Sequence, residues 1–173
     1  MVAFLFRMGA GFAGDVNRTH PASIEADLIH ALSPPTAYGQ AVLIDPTSQG
    51  VRPFVAGDTA VALAYGVTVR AFPVQQTSAP TGNFAPAALG AAIPPVSGVI
   101  DVLRAGYIMG QVPAGQATVK NGAVYIWCAA STGVHVQGGF ENAASGGNTA
   151  ALTNAVFNGI PDANGNVEIQ FNV

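Results

Sequence analysis

Apolar and polar residues alternate most regularly at the C-terminal end of the chain. Four apolar residues occupy every second position, and polar residues separate them: Val167, Ile169, Phe171 and Val173. Successive side chains of a β-strand point to opposite faces, so this pattern predicts a strand with one buried face. Asn164-Gly165 predicts a turn before it. The apolar run over residues 155 to 157 predicts the partner strand.

The same arrangement of short apolar runs and turn residues recurs along the chain. Turns are predicted at residues 46 to 50 and at Gly57-Asp58. The runs rich in Val, Ile, Tyr, Phe and Thr predict strands over residues 40 to 45, 51 to 54, 61 to 64 and 67 to 72, and one or two strands over residues 98 to 109.

A tight hairpin is predicted around Asn121-Gly122. Asn and Gly tolerate the positive φ angles of a type I′ turn, which joins neighbouring antiparallel strands. The predicted strands are residues 117 to 120 and residues 123 to 128, and the second is apolar on both faces. We therefore expect the second strand to be covered on both sides.

These elements predict an all-β fold in a single domain over residues 1 to 173. Even spacing of short antiparallel strands is typical of a sandwich, a barrel or a jelly roll. Residues 23 to 32 fit helix and strand equally well, because apolar residues occur there at both spacings. Residues 7 to 22 predict an extended N-terminal arm, and residues 73 to 97 predict a long loop rich in proline and glycine.

The composition of the chain bears on the character of its surface. Charged residues make up 9% of the chain and hydrophobic residues 50%, whereas an average chain has about 25% charged residues. The chain is therefore either a neutral domain rich in Ala and Gly, or a protein whose surface is partly covered by a partner. The few basic residues are scattered, which argues against direct nucleic-acid binding. Prolines break the neutral stretch over residues 71 to 100, which argues against a membrane span.

No catalytic, cofactor or metal site is predicted. Residues 9 to 14 spell G-x-G-x-x-G, but Pro21 would interrupt the helix that a dinucleotide site needs. Residues 162 to 168 spell D-x-N-x-N-x-E, yet the sequence lacks a glycine and a glutamate at the positions where a calcium loop requires them. The histidines are far apart, and Cys128 lies in an apolar run that favours burial.

Taken as a whole, the sequence resembles the structural cement proteins of tailed bacteriophages. The likeness covers nearly the whole chain and depends on the number and order of the similar stretches. Those stretches are residues 11 to 18, 34 to 39, 43 to 45, 50 to 53, 56 to 60, 65 to 73 and 161 to 169.

The resemblance implies a jelly-roll-like capsid decoration protein without catalytic residues. It implies a place on the outer capsid surface of the virion, with the major capsid protein of an HK97-type shell as partner. It also implies a homodimer that bridges neighbouring capsomers at two-fold positions, and a trimer at three-fold positions is the alternative.

Candidate contact residues lie in the predicted arm. Arg and aromatic residues are enriched in the cores of interfaces, which favours Phe12 and Arg18, and the same stretch contains Asp15 and Asn17. The alternative function is a jelly-roll module of the virion that binds carbohydrate or a host surface. Such a module needs an exposed aromatic platform, and Trp127, the sole tryptophan, lies in a strand that we expect to be buried.

Overall fold

The computed structural model describes residues 11 to 18, 20 to 70 and 93 to 173. These residues form nine β-strands and two short 3-10 helices, Ala56–Asp58 and Gly146–Asn148. The strands are β1 (Ser23–Leu28), β2 (Ala41–Ile44), β3 (Val51–Pro53), β4 (Gly66–Thr68), β5 (Val99–Gln111), β6 (Gly122–Trp127), β7 (Phe140–Glu141), β8 (Thr149–Phe157) and β9 (Asn166–Phe171). No described helix is long and apolar enough to cross a membrane.

All paired strands run antiparallel and form one continuous curled path. Its order is β3-β2-β4-β5-β9-β8-β6-β7, and β1 pairs with β5 beside this path. The path therefore consists of two sheets that share β5. The first contains β1 to β4, and the second contains β6 to β9.

The shared strand β5 changes sheets at Gly106. Its residues before this point pair with β1 and β4, and Gly106–Gln111 pairs with β9. Gly106 has a φ of 137°, a conformation that L side chains rarely adopt, and a Cβ atom there would lie 2.7 Å from the carbonyl oxygen of Pro21. Glycine therefore permits both the bend in β5 and the close approach of the N-terminal segment.

Two apolar clusters stabilise the fold. The larger one draws on both sheets, and its largest side chains are fully or almost fully buried: Phe54, Phe140, Phe157, Phe171 and Ile169. The smaller one belongs to the first sheet: Ile29, Val42, Val51, Ile100 and Val102. The chain after β1 joins β3 through a bridge between Ile29 and Val51. The first sheet thus curls around the smaller cluster.

The all-β, antiparallel prediction is confirmed, as is the predicted partner of the C-terminal strand. Strands β2 and β3 pair across the predicted turn, and β8 pairs with β9 through residues 155 to 157. Val167, Ile169 and Phe171 are buried as expected. The strand ends at Phe171, so Val173 lies beyond it and is exposed. The jelly-roll topology stays a prediction.

The predicted hairpin at Asn121-Gly122 is wrong in its first strand. A turn is present, since Asn121 has a φ of 60°, but it is not the predicted type I′ turn, because Gly122 is the first residue of β6 and its φ is not positive. However, β6 pairs with β8 and with β7, so both of its edges are occupied. Residues 117 to 120 form no strand, and the Thr118 hydroxyl instead donates to the carbonyl oxygen of Gly159.

Three other segments bear on the sequence predictions. One differs from its prediction, and two settle alternatives that the sequence left open. Residues 61 to 64 form no strand, although Ala62 and Ala64 hydrogen-bond to Thr153 and Asn154 of β8. The ambiguous segment over residues 23 to 32 contains strand β1. Residues 98 to 109, for which one or two strands were predicted, contain one long strand, β5, which begins at Val99 and runs on to Gln111.

The predicted arm and loop are described only in part. Residues 7 to 10 and 19 of the arm, and residues 73 to 92 of the loop, lie outside the described residues. The described part of the arm lies against β5. The Gly14 amide donates to the Met109 carbonyl at 2.8 Å, and the Met109 amide donates to the Asp15 carbonyl at 2.9 Å. These bonds join the segment to the edge of the second half of β5 that does not pair with β9.

Candidate functional site

Phe12, Asp15, Asn17 and Arg18 lie together on one surface. The backbone of Gly14 and Asp15 bonds to β5, and the Asn17 amide donates to the Tyr107 carbonyl at 3.1 Å. The side chains therefore sit over the end of β5 and the polar face of β9. We call these four residues and their partners Arg70, Tyr107, Asn158 and Glu168 the N-terminal surface.

Glu168 is the main acceptor of the N-terminal surface. Arg18 donates to both of its carboxylate oxygens, with Nη2 at 2.7 Å from Oε2 and Nε at 3.2 Å from Oε1. Asn17 Nδ2 lies 3.3 Å from Oε1, and Asn158 donates to Oε2. Three side chains from two parts of the chain are thus fixed by one carboxylate of β9.

The surroundings of Glu168 favour its charged form. Burial alone would raise the pKa of this carboxyl, but hydrogen bonds from Arg18, Asn158 and Asn17 outweigh burial and lower the pKa. The same carboxylate raises the pKa of Arg18. Both groups are therefore charged at neutral pH, and the pair is held by two charge-assisted hydrogen bonds.

A second set of contacts fixes the other end of the surface. The Arg70 guanidinium lies 3.6 Å from an oxygen of Asp15 and 4.6 Å from the centre of the Phe12 ring. The Phe12 amide also donates to Asp15 Oδ2 at 2.9 Å. Phe12 keeps 45% of its area exposed, so its ring is held in place and still faces solvent.

Arg18 is also stacked on an aromatic ring. Its guanidinium carbon lies 4.0 Å from the centre of the Tyr107 ring, while about half of the side chain stays exposed. Because the ring and the carboxylate restrict the side chain before any partner arrives, contact with a partner would lose little additional side-chain entropy. The arrangement suits recognition by a surface. No group of three or more metal-binding side chains occurs among the described residues.

Sequence reasoning named four residues of this surface and missed their partners. Tyr107, Arg70 and Asn158 gave no local signal, because they are distant in the chain. Glu168 did have a signal, since it falls on the polar face of the alternating strand β9. That signal shows a solvent-facing position and does not say what binds there.

Other residues weighed for chemistry have structural roles in the described part of the chain. The Asp162 carboxylate accepts hydrogen bonds from the amides of Asn164 and Asn166 and thereby shapes the turn before β9. Cys128 is buried, and burial raises the pKa of its thiol to about 11. A thiol with this pKa is a poor nucleophile at neutral pH.

Trp127 is buried, as predicted. Only 5% of its area is exposed, its ring stacks on His135 at 4.2 Å, and its indole nitrogen donates to the Ala130 carbonyl at 3.1 Å. It therefore offers no exposed platform of the kind that a carbohydrate-binding module uses.

Comparison with known proteins identifies the family. The family model described as XM1 gp53 minor capsid protein matches residues 1 to 171. A chain in the solved capsid of Myoviridae phage XM1 has a similar fold, with a TM-score of 0.68 and 19% identity over 98% of this chain and 95% of that chain. A comparison with curated proteins gave no match. The chain therefore belongs to the XM1 gp53 minor capsid protein family and is a structural protein associated with a bacteriophage capsid.

Proposed function

We propose that the chain is a cement protein, which binds the outer surface of an HK97-type shell across the seams between capsomers. The observation that supports this proposal most directly is membership of a minor capsid protein family over residues 1 to 171. A minor component that is added to a shell can act by binding the major capsid protein. In this proposal the chain performs no catalysis.

The described surface is compatible with extensive coverage by a partner. Charged residues are scarce, and several large apolar side chains face solvent. They include Phe12, Ile24, Leu28, Leu32, Val99 and Val134. The fully buried part of an interface is depleted of charge, whereas a free surface normally carries many charges.

Binding across a seam would stabilise the shell by mass action. A ligand that binds only the closed arrangement of capsomers lowers the free energy of that arrangement by its binding free energy. DNA packed inside the head pushes outward, and the seams are where this force separates subunits. The closed shell then withstands higher internal pressure when the seams are bridged.

We further propose that the chain acts as a homodimer at two-fold positions, with a trimer as the alternative. A two-fold dimer presents the same surface twice. Once one subunit of the dimer is bound to the shell, binding of the second subunit is intramolecular, which raises avidity by about 10²–10⁴. The N-terminal surface, with Phe12, Asp15, Asn17 and Arg18, is the proposed contact with the major capsid protein.

The proposal is tested by co-sedimentation of the purified chain with cognate shells from which it has been removed. We expect saturable binding at a fixed ratio to the major capsid protein and a higher melting temperature of the shells. Absence of binding to both immature and expanded shells would show that the chain is not a cement protein.

The contact surface is tested with Phe12→Ala. Truncating an aromatic side chain at the centre of an interface weakens binding by about tenfold or more. Leu63→Ala is the matched control, because Leu63 is also an exposed apolar side chain and lies outside the N-terminal surface. Equal binding of the two variants would place the contact elsewhere while leaving the cement function intact.

A further inference from the structure

Strand β1 has one paired edge and one outer edge. It pairs with β5 over Ile24 to Leu28, opposite Leu103 to Val99. The next residue, Ile29, donates its amide to the Gly98 carbonyl at 2.9 Å. Hydrogen-bonding direction alternates along a strand. The backbone groups of Glu25 and Asp27 therefore face β5, and those of Ile24, Ala26 and Leu28 face outward.

A contact on the far side of β5 supports this assignment. The Asp101 carbonyl accepts a hydrogen bond from the Val69 amide at 2.8 Å, so the backbone of Asp101 faces the β4 side. Asp101 lies directly opposite Ala26. The Ala26 amide and carbonyl consequently do not bond to β5.

No strand formed by the described residues pairs with this outer edge. This edge is closed only at its C-terminal end, where the parallel bridge between Ile29 and Val51 bonds the Leu28 carbonyl and the His30 amide to Val51; the His30 amide lies 3.0 Å from the Val51 carbonyl. Every residue of β1 except Asp27 is exposed. An open edge of this kind can pair with an additional strand, and proteins commonly protect such edges with Lys, Pro or a cover. Strand β1 contains neither Lys nor Pro.

The two faces of β1 differ in chemistry. Ile24, Ala26 and Leu28 share one face, and Leu28 lies opposite Val99 of β5. Leu28 and Val99 are 62% and 54% exposed. Glu25 and Asp27 share the other face, where both approach the Tyr65 hydroxyl at 3.3 Å and 3.2 Å.

The acidic face has one nearby guanidinium. Arg104 Nε lies 3.5 Å from Glu25 Oε2, and the guanidinium carbon lies 3.4 Å from the centre of the Tyr65 ring. One guanidinium beside the two carboxylates of Glu25 and Asp27 leaves this face acidic.

These charges disfavour pairing of β1 with a second copy of itself. Two-fold antiparallel pairing centred on Ala26 places Glu25 of one copy opposite Asp27 of the other. Centring on Glu25 or on Asp27 places that residue opposite itself. Like charges directly opposite each other destabilise a strand pair. Pairing of two copies of β1 in these three registers is therefore disfavoured.

We propose that the outer edge of β1 pairs with an extended segment of the major capsid protein in which apolar residues alternate with Lys or Arg. This inference rests on the proposed function. The added strand would bond to the outward backbone groups of Ile24 and Ala26 and to the Leu28 amide. Its apolar side chains would lie beside Ile24 and Leu28, and its basic side chains would lie beside Glu25 and Asp27.

Binding of Ala26→Pro to stripped shells tests the backbone contact. Proline removes the outward amide, and it is tolerated on an edge strand whose amide faces solvent. We expect the affinity to fall about tenfold. Ala26→Val is the matched control, because it keeps the amide and favours a strand, and it should bind as the unsubstituted chain does.

Hydrogen exchange of the unsubstituted chain tests the same contact without a substitution. We expect the outward amides of a peptide covering residues 23 to 28 to exchange rapidly in the free chain and to be protected on shells. Unchanged exchange in this peptide on shells that are saturated with the chain would overturn the inference, whether or not the proline variant folds.

Competition by two synthetic peptides tests the chemistry of the partner. A peptide of alternating Lys and Val should compete with shells for the chain, and a peptide of alternating Glu and Val should not. Equal competition by the two peptides would contradict the proposal that Lys or Arg residues alternate with apolar residues in the partner segment. If the unsubstituted chain does not bind shells at all, the proposed function fails; if it binds and Ala26→Pro binds equally well, only this inference fails.

Discussion

At the scale of single residues, Glu168 controls how the N-terminal segment is held. It accepts hydrogen bonds from Asn17, Arg18 and Asn158. Loss of Arg18 alone would leave the carboxylate with two donors. Loss of the carboxylate would leave three donors without this acceptor, so we expect Glu168 to matter more for stability than the partly exposed Arg18.

The carboxylates that lie beside arginines make stability depend on pH. The pKa of Glu168 is lowered, and so is that of Asp58, where burial is outweighed by the hydrogen bonds from Arg52 and the Val55 amide together with the charge of Arg52. A carboxyl group whose pKa is lower in the folded chain stabilises it above the unfolded pKa, about 4. This contribution disappears as the pH falls through the folded pKa. We therefore expect the free energy of unfolding, measured with urea, to fall on acidification below about pH 4.

Glu168→Gln provides the comparison for this prediction. It removes the titrating group and keeps most of the side-chain shape. The free energy of unfolding of the variant should therefore be lower by about 1 kcal/mol at pH 7, and it should fall less on acidification. An acid response identical to that of the unsubstituted chain would show that Glu168 does not contribute to it.

Residue types in the N-terminal surface could be predicted, but their partners could not. Phe12 and Arg18 belong to types that are common in interfaces, and local sequence was enough to name them. Their contacts with Arg70, Tyr107 and Glu168 depend on pairing between distant segments. No local pattern encodes such pairing.

At the scale of elements, local turns were predicted more reliably than strand partners. Strands β2 and β3 are separated by a short turn, so the turn itself decides their pairing. The turn at Asn121-Gly122 is equally local, yet β6 pairs with β8 and β7. Partners from further along the chain occupy one edge of β6 throughout and the other edge at Tyr125 and Ile126, so residues 117 to 120 have no complete edge with which to pair.

Gly106 gives a test at the scale of elements. Gly106→Ala would place a Cβ atom 2.7 Å from the Pro21 carbonyl in a strained backbone conformation. We expect the free energy of unfolding, measured with urea, to fall by about 1–3 kcal/mol. Gly147→Ala is the control, because a Cβ atom at Gly147 meets nothing within 4 Å. Equal stability of the two variants would contradict the assigned role of Gly106.

At the scale of the whole molecule, β5 connects the two apolar clusters. Val102 belongs to the smaller cluster and Ile108 to the larger, and both lie on this one strand. Composition and turn spacing predicted the all-β class. They did not predict the sharing of β5, because the pattern over residues 98 to 109 left one strand and two strands open.

The shared strand predicts that the two clusters unfold together. We expect a single calorimetric transition, with equal calorimetric and van't Hoff enthalpies. Val102→Ala and Ile169→Ala each remove buried apolar volume, from the smaller and the larger cluster respectively, and each should shift the whole transition downward. Two transitions, with only one shifted by Val102→Ala, would show that the clusters are independent.

The sharing of β5 also limits how the length of the chain can change during evolution. An extra residue within a strand moves every following side chain to the opposite face. In β5 such an insertion would disturb the pairing with both sheets, whereas an insertion into the connection between β6 and β7 would leave the ladders aligned. Homologous chains should therefore gain and lose residues in such connections, while β5 keeps its thirteen positions.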